Sequence, residues 1–212
     1  MIMKTIAVRK VVLAVSVFAL TVPVLADDTN APAMPMVTAA DFAWDAAIIN
    51  LEEIRLGEAA QTNSQDKAIR QFGKHMVRDH SRLQQRLEKV AADEGLQLPD
   101  TNTFYVPVSA PEEKPATEMM EEGTPQDRLL HAQLDAQHLV SLTGSDFDKA
   151  YADAMVNGHY AAIQKFEDAS ATLQDPALKK YADKGLNIIR HHYEMALKLP
   201  NAPAPPPASP SM

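Results

Sequence analysis

The stretch IRQFGKHMVRDHSRLQQRLEKV, residues 69–90, decides the fold. Its apolar residues Ile69, Phe72, Met76, Leu83, Leu87 and Val90 recur at three- and four-residue intervals, which puts them on one face of an α-helix. His80 stands in the middle of that face, where a leucine would continue the pattern. The helix is expected to begin after Ser64 and to end near Gly95, a natural C′ residue, with Pro99 beyond it.

Three other segments carry the same periodicity. One runs roughly over residues 41–62, with the seam Phe42, Ala46, Ile49, Glu53, Leu56 and Ala60 and a second apolar flank of Trp44, Ile48 and Leu51. Another begins after Ser145, with Asp148 placed as in a capping box, and has the seam Phe147, Tyr151, Met155, His159, Ala162, Phe166 and Ala169. The last opens with Asp175 as N-cap and Pro176 at N1 and closes before Pro200. Its seam is Leu178, Tyr181, Ala182, Ile189, His192 and Ala196. A shorter helix is expected over about 127–142, and no segment alternates as a strand would. Short turns near 63 and 174 make two helical hairpins, joined by a proline- and glutamate-rich crossover over 96–124. The expected fold is therefore all-α: a ferritin-like four-helix bundle of two hairpins, a long crossover and a short extra helix, over residues 41–199.

The flanks read differently. Lys4, Arg9 and Lys10 precede an apolar run from Val11 to Val22, and Val24-Leu25-Ala26 offers small-residue cleavage before Asp27. Residues 1–26 are thus expected to be a secretory signal, with no integral span left in the mature chain. Residues 27–40 look like a flexible leader, and 200–212, with six prolines, like a disordered or polyproline tail that offers itself to a protein or envelope partner. Removing residues 1–26 deletes three positive and no negative charges, leaving 17 Lys and Arg against 28 Asp and Glu, a net charge of −11. That balance argues against nucleic acid or anionic lipid as a partner. Zero cysteines exclude disulfides, thiol chemistry and iron–sulfur clusters. A periplasmic location fits, with outer-membrane association left open.

Residues 76–80 and 155–159 echo each other at Met, Val and His. The chain resembles a bacterial exported family of unknown function, described as ferritin-like or as outer-membrane proteins. The resemblance rests on Glu53-Ile54-Arg55-Leu56-Gly57, Met76-Val77-Arg78-Asp79-His80, Phe147-Asp148-Lys149-Ala150-Tyr151, Met155-Val156 with His159, Phe166-Glu167, and His192. That family usually has Asp before the second motif's histidine, where this chain has Gly158. The resemblance implies fold and export and supplies no activity.

Each helical seam thus buries one ionisable residue: Glu53, His80, His159 and His192. Such groups cost several kcal/mol to bury unless paired or metal-bound. Two readings stay open. In one, the four bind a divalent transition metal (zinc, copper, iron or manganese), with Asp79 orienting an imidazole, in an exported metal- or stress-related binding protein. In the other, they satisfy one another and fix register in a non-catalytic structural or interaction module. Depth separates the members. His159 lies 15 residues before the turn near 174 and His192 lies 18 after it, a mismatch of about 4.5 Å at the helical rise. Glu53 and His80 lie 10 and 17 residues from the turn near 63, about 10 Å apart in depth, so one four-ligand site requires staggered hairpins.

A di-iron oxidase is not expected, because Val77 and Val156 stand where Glu-x-x-His pairs would need carboxylates. His75 and His191 fall off their seams, and His131 and His138 share one face of the short helix. Met34, Met36, Met119 and Met120 form two soft-donor pairs in the irregular segments. No nucleophile elbow or phosphate loop is present, so no catalytic residue is assigned.

Overall fold

The computed structural model describes residues 37–109 and 123–207. The signal segment, most of the leader and the four irregular-segment methionines lie outside them. Among the described residues are five α-helices and no strand: α1 (Ala39–Asn63), α2 (Lys67–Glu94), α3 (Pro125–Ser141), α4 (Gly144–Thr172) and α5 (Pro176–Ala196). A 3₁₀ turn, Thr103–Tyr105, lies in the described part of the crossover.

Side-chain caps set most of the helix starts. The Thr38 hydroxyl accepts from the Asp41 amide at 3.0 Å, and the Asp66 carboxylate accepts from Ala68 and Ile69 at 2.7 and 3.1 Å. Thr124 caps α3 ahead of Pro125, and Asp175 accepts from Leu178 at 2.6 Å to open α5. α2 stops at Gly95, whose φ of 68° is the left-handed conformation a C-cap glycine supplies. One expected cap does not form. α4 starts at Gly144, so Ser145 lies inside the helix, and Thr143 at the N-cap makes no side-chain bond.

α1 and α2 form one antiparallel hairpin and α4 and α5 the other; α1 meets α4 and α2 meets α5, closing the bundle. α3 lies along α1, held by Trp44 Nε1 donating to the Pro125 carbonyl at 2.8 Å and by Arg128 on Asp45 at 2.6 Å. Asn63 adds two bonds of 2.8 Å to the carbonyls of Val140 and Leu142. In the tail, Ala202 packs against the core and the Tyr160 hydroxyl donates to the Pro207 carbonyl at 3.1 Å.

Helices α1 and α2 approach closely where Gly57 faces Gly73. A methyl group on Gly73 would lie 2.6 Å from the Gly57 carbonyl oxygen and 2.7 Å from Ala60 Cβ. Backbone cannot step aside as a side chain can, so Gly73→Ala is expected to lower stability by about 1–3 kcal/mol. In a thermal melt that is a fall of roughly 2–12 °C; an unchanged midpoint would show that this contact is looser than described.

This contact also sets the register of the bundle. Moving away from the turn by the same number of residues in α1 and α2 leads from Gly57 and Gly73 to Asn50 and His80. In the other hairpin the same step leads from Phe166, which packs on Gly185, to His159 and His192. The polar residues of both hairpins therefore fall at one level. Above and below them lie two separate apolar clusters, one around Phe72, Met76, Phe147 and Tyr151, the other around Phe42, Leu83, Phe166 and Ile189. Between them is a buried polar layer of Asn50, Glu53, His80, Gln84, His159 and His192.

Candidate metal centre

The three imidazoles converge. His80, His159 and His192 are each 1 % exposed. Their ring centroids are 5.9 Å apart for His80 and His159, 5.2 Å for His80 and His192, and 5.5 Å for His159 and His192. One ligating nitrogen from each lies within 4.8 Å of the other two. A point roughly 2.8 Å or less from all three nitrogens follows from that spacing, against about 2.0–2.1 Å for a zinc–imidazole bond.

Each ring has one nitrogen engaged and one not. His159 Nδ1 lies 2.9 Å from the Met155 carbonyl, His192 Nε2 lies 3.2 Å from Asp79 Oδ2, and His80 Nδ1 lies 3.1 Å from Asn50 Oδ1. A backbone carbonyl and a carboxylate can only accept, so in the neutral rings of His159 and His192 these nitrogens carry the proton. The opposite nitrogens, His80 Nε2, His159 Nε2 and His192 Nδ1, have no hydrogen-bond partner. Unpartnered buried polar atoms are rare and expensive, and three at one level require an explanation.

Glu53 does not join this group of three. Its Oε1 lies 3.4 Å from His159 Nδ1, the nitrogen turned away from the other rings, and its Oε2 has no partner. Asp79, at 18 % exposure, stands between His192 and solvent and is held by Arg78 at 2.8 Å and Arg82 at 3.7 Å.

Electrostatics keep the rings neutral. Burial, reinforced by the neighbouring imidazoles, pushes His80 well below the usual histidine range and His159 down to about 3. Burial also lowers His192, against the opposing pull of its bond to Asp79. Glu53 is pushed well up by burial and by Glu52, while the Arg78 hydrogen bond holds Asp79 below the normal carboxylate range. Glu52, half-buried and near Asp135, is raised to about 7 by desolvation and by that carboxylate. Neutral imidazoles are the form that binds metal, and Asp79 is an anion already in place beside one of them.

The other candidates fall elsewhere. His131, His138 and His191 are exposed and His75 is half-buried, none of them within the converging set. Val77 and Val156 occupy the positions where a di-iron centre would need glutamates, and the convergent donors are imidazoles alone. Glu167 pairs with Arg190 at 2.5 Å at the helix edge. Tyr181 accepts from Asn50 Nδ2 at 2.9 Å, and Tyr151 is fully buried with its hydroxyl unpartnered.

Asn50 and Gln84 are the members that sequence reasoning missed. A signal for Asn50 existed: Ala43, Ala46, Asn50, Glu53, Gly57 and Ala60 recur at three-four spacing, and all six are buried. That small-residue seam, not the one through Ile49, carries Asn50 into the core.

The family pattern described as "Domain of unknown function (DUF4142)" matches residues 24–199. The chain belongs to this family. No curated protein matches it. A solved DUF305 protein from Streptomyces coelicolor, described as secreted, is similar with a TM-score of 0.53 at 10 % identity, over 75 % of this chain and 90 % of that one. At that identity the likeness shows a shared helical fold alone. Among the described residues no helix is long and apolar enough to cross a membrane.

Proposed function

We propose that this protein binds one transition-metal ion through His80, His159 and His192, as an exported metal-binding member of its family with a ferritin-like arrangement of helices. Two observations carry this reading: one nitrogen from each of the three imidazoles lies within 4.8 Å of the other two, and each ring has one buried nitrogen without a hydrogen-bond partner. Three unpartnered lone pairs in a dry core satisfy nothing; a Lewis acid among them satisfies all three. Imidazole donors suit zinc, copper and iron, and three of them leave a fourth position for water or another small donor. The oxygen partners on the outer nitrogens are those that orient metal-ligating histidines elsewhere. Glu53, close behind His159, supplies a second negative charge when a divalent ion brings its carboxyl to ionise.

Export and a periplasmic location are supported by the signal-like segment over 1–26 and by the secreted description of the similar structure. Binding, rather than catalysis, is the activity proposed. A second reading has its own support: Asn50, Gln84 and Tyr181 form a buried network that would specify bundle register with no metal at all.

Elemental analysis of untagged protein, purified with and without EDTA, separates the two. About one equivalent of zinc, copper, iron or manganese, lost with EDTA and restored by back-titration, is expected. Metal-free protein that takes up none of the four leaves the network reading standing.

A further inference from the structure

His80 differs from the other two histidines in its outer partner, because an amide can turn either its oxygen or its nitrogen toward the ring. If Asn50 presents oxygen, His80 carries its proton on Nδ1 and offers a lone pair to the centre. If Asn50 presents nitrogen, the proton moves to Nε2 and points inward, where it bonds to a neighbouring imidazole and leaves no room for a cation. The side chain at Asn50 therefore decides whether the three rings accept a metal or satisfy themselves.

What decides Asn50 lies further along α2. The Glu88 carboxylate, at the exposed end, only accepts, and Gln84 Nε2 donates to it at 3.0 Å. This turns Gln84 Oε1 inward, where it faces Asn50 Nδ2 at 3.4 Å. Asn50 Nδ2 also donates to the Tyr181 hydroxyl at 2.9 Å. With its nitrogen committed twice, Asn50 has its oxygen left for His80 Nδ1, at 3.1 Å. Tyr181 alone would not set this direction, since a hydroxyl donates or accepts. A surface carboxylate thus sets the polarity of an amide chain that runs to the buried ring.

We infer that Asn50 and Gln84 are positioning residues that hold His80 as the Nδ1–H tautomer and so keep the three-histidine site ready for metal. The inference rests on the metal-binding reading above for its consequence, but its mechanism is visible in the metal-free protein. Both residues are buried, and neither belongs to the ligand set.

The test uses full-length mature protein and three variants, Asn50→Leu, Asn50→Asp and Gln84→Met, with two readouts. The first is the His80 tautomer in metal-free protein at neutral pH, from two-bond nitrogen–proton couplings in the imidazole; the second is Zn²⁺ affinity by competition with a chelator. Wild type and Asn50→Asp are expected to show Nδ1–H, because a carboxylate also accepts. Asn50→Leu is expected to shift His80 to Nε2–H and weaken Zn²⁺ binding about 10- to 100-fold, the usual effect of losing such a partner. Gln84→Met leaves only Tyr181 to orient Asn50, so a mixture of tautomers is expected; it serves in place of Asn50→Leu should that variant not fold. An unchanged tautomer in both Asn50→Leu and Gln84→Met would overturn the inference, as would equal loss of affinity in Asn50→Leu and Asn50→Asp, which marks a packing effect. If wild type binds no Zn²⁺ while the tautomer still shifts, the positioning role stands and the metal reading falls.

Discussion

His159→Leu is expected to abolish stoichiometric metal binding while leaving the metal-free protein at least as stable as wild type. The two halves come from different atoms of one side chain. His159 Nε2 is unpartnered and fully buried, and such an atom costs about 1–3 kcal/mol. Of the groups at its Nδ1, the Met155 carbonyl is a helix-interior acceptor that loses nothing essential when the imidazole goes, and the Glu53 carboxyl at 3.4 Å is pushed toward its neutral form by burial, so no buried charge is left unpaired. Leucine fills similar volume without the desolvation, and exchanges of this kind are commonly neutral or stabilising. Saturating metal at about 1,000 times the dissociation constant should stabilise wild type by about 4 kcal/mol, a rise of roughly 8–16 °C for a domain of this size. In His159→Leu that metal-dependent rise should vanish. Paired melts with and without metal give both numbers. A purely structural network makes the opposite forecast, with His159→Leu losing several kcal/mol in the absence of any metal.

The second large effect is acid destabilisation of the metal-free protein. All three ring pKa values lie below the unfolded value near 6.5. As pH falls through 6.5 the unfolded chain takes up three protons that the folded rings refuse, so stability falls with pH. Glu53 and Glu52 act in the other direction: raised in the fold, they hold protons that the unfolded carboxyls, near 4.3, have released. Between about pH 6.5 and 5 the balance is three protons against two. Stability should therefore fall on acidification, by at most about 1.4 kcal/mol per pH unit. Above pH 6.5 the histidine contribution is complete and the two glutamates alone remain, so stability declines again on the alkaline side. Melting temperature against pH is expected to peak near 6.5. Glu52→Gln removes one opposing proton and should steepen the acid limb toward about 2.7 kcal/mol per unit. A profile that is flat from pH 7.5 to 5, in wild type and in Glu52→Gln alike, would mean the rings are solvated or paired in the fold.

Much of this architecture was readable before any coordinates. The helices follow from apolar periodicity, and the hairpins from the short spacing between them. His80, His159 and His192 were conspicuous because an ionisable group in an apolar seam contradicts its surroundings. Asn50 was not conspicuous. Helix one carries two overlapping seams, and the large residues Phe42, Ile49 and Leu56 draw attention from the small ones that admit the neighbouring helix. Ile49 is only half-buried, while Ala43, Ala46 and Gly57 are buried. Close helix approach selects small side chains, and hydrophobicity alone underrates them. Depth arithmetic did carry information: Glu53 and His80 were unequal in level, and in the fold Asn50, one turn earlier than Glu53, faces His80 instead. Glu53 reaches His159 across the bundle by a contact between hairpins, which no spacing within one hairpin encodes. Tautomers were beyond the sequence altogether, because they depend on which atom each partner turns toward the ring.

The account depends on an ion sitting among the three rings, and anomalous diffraction from crystals of natively purified protein addresses that directly. Data collected on either side of the absorption edge of the metal found by elemental analysis should give one peak, about 2 Å from His80 Nε2, His159 Nε2 and His192 Nδ1. Clean density for the three rings at full metal occupancy elsewhere, with no anomalous peak between them, would contradict it.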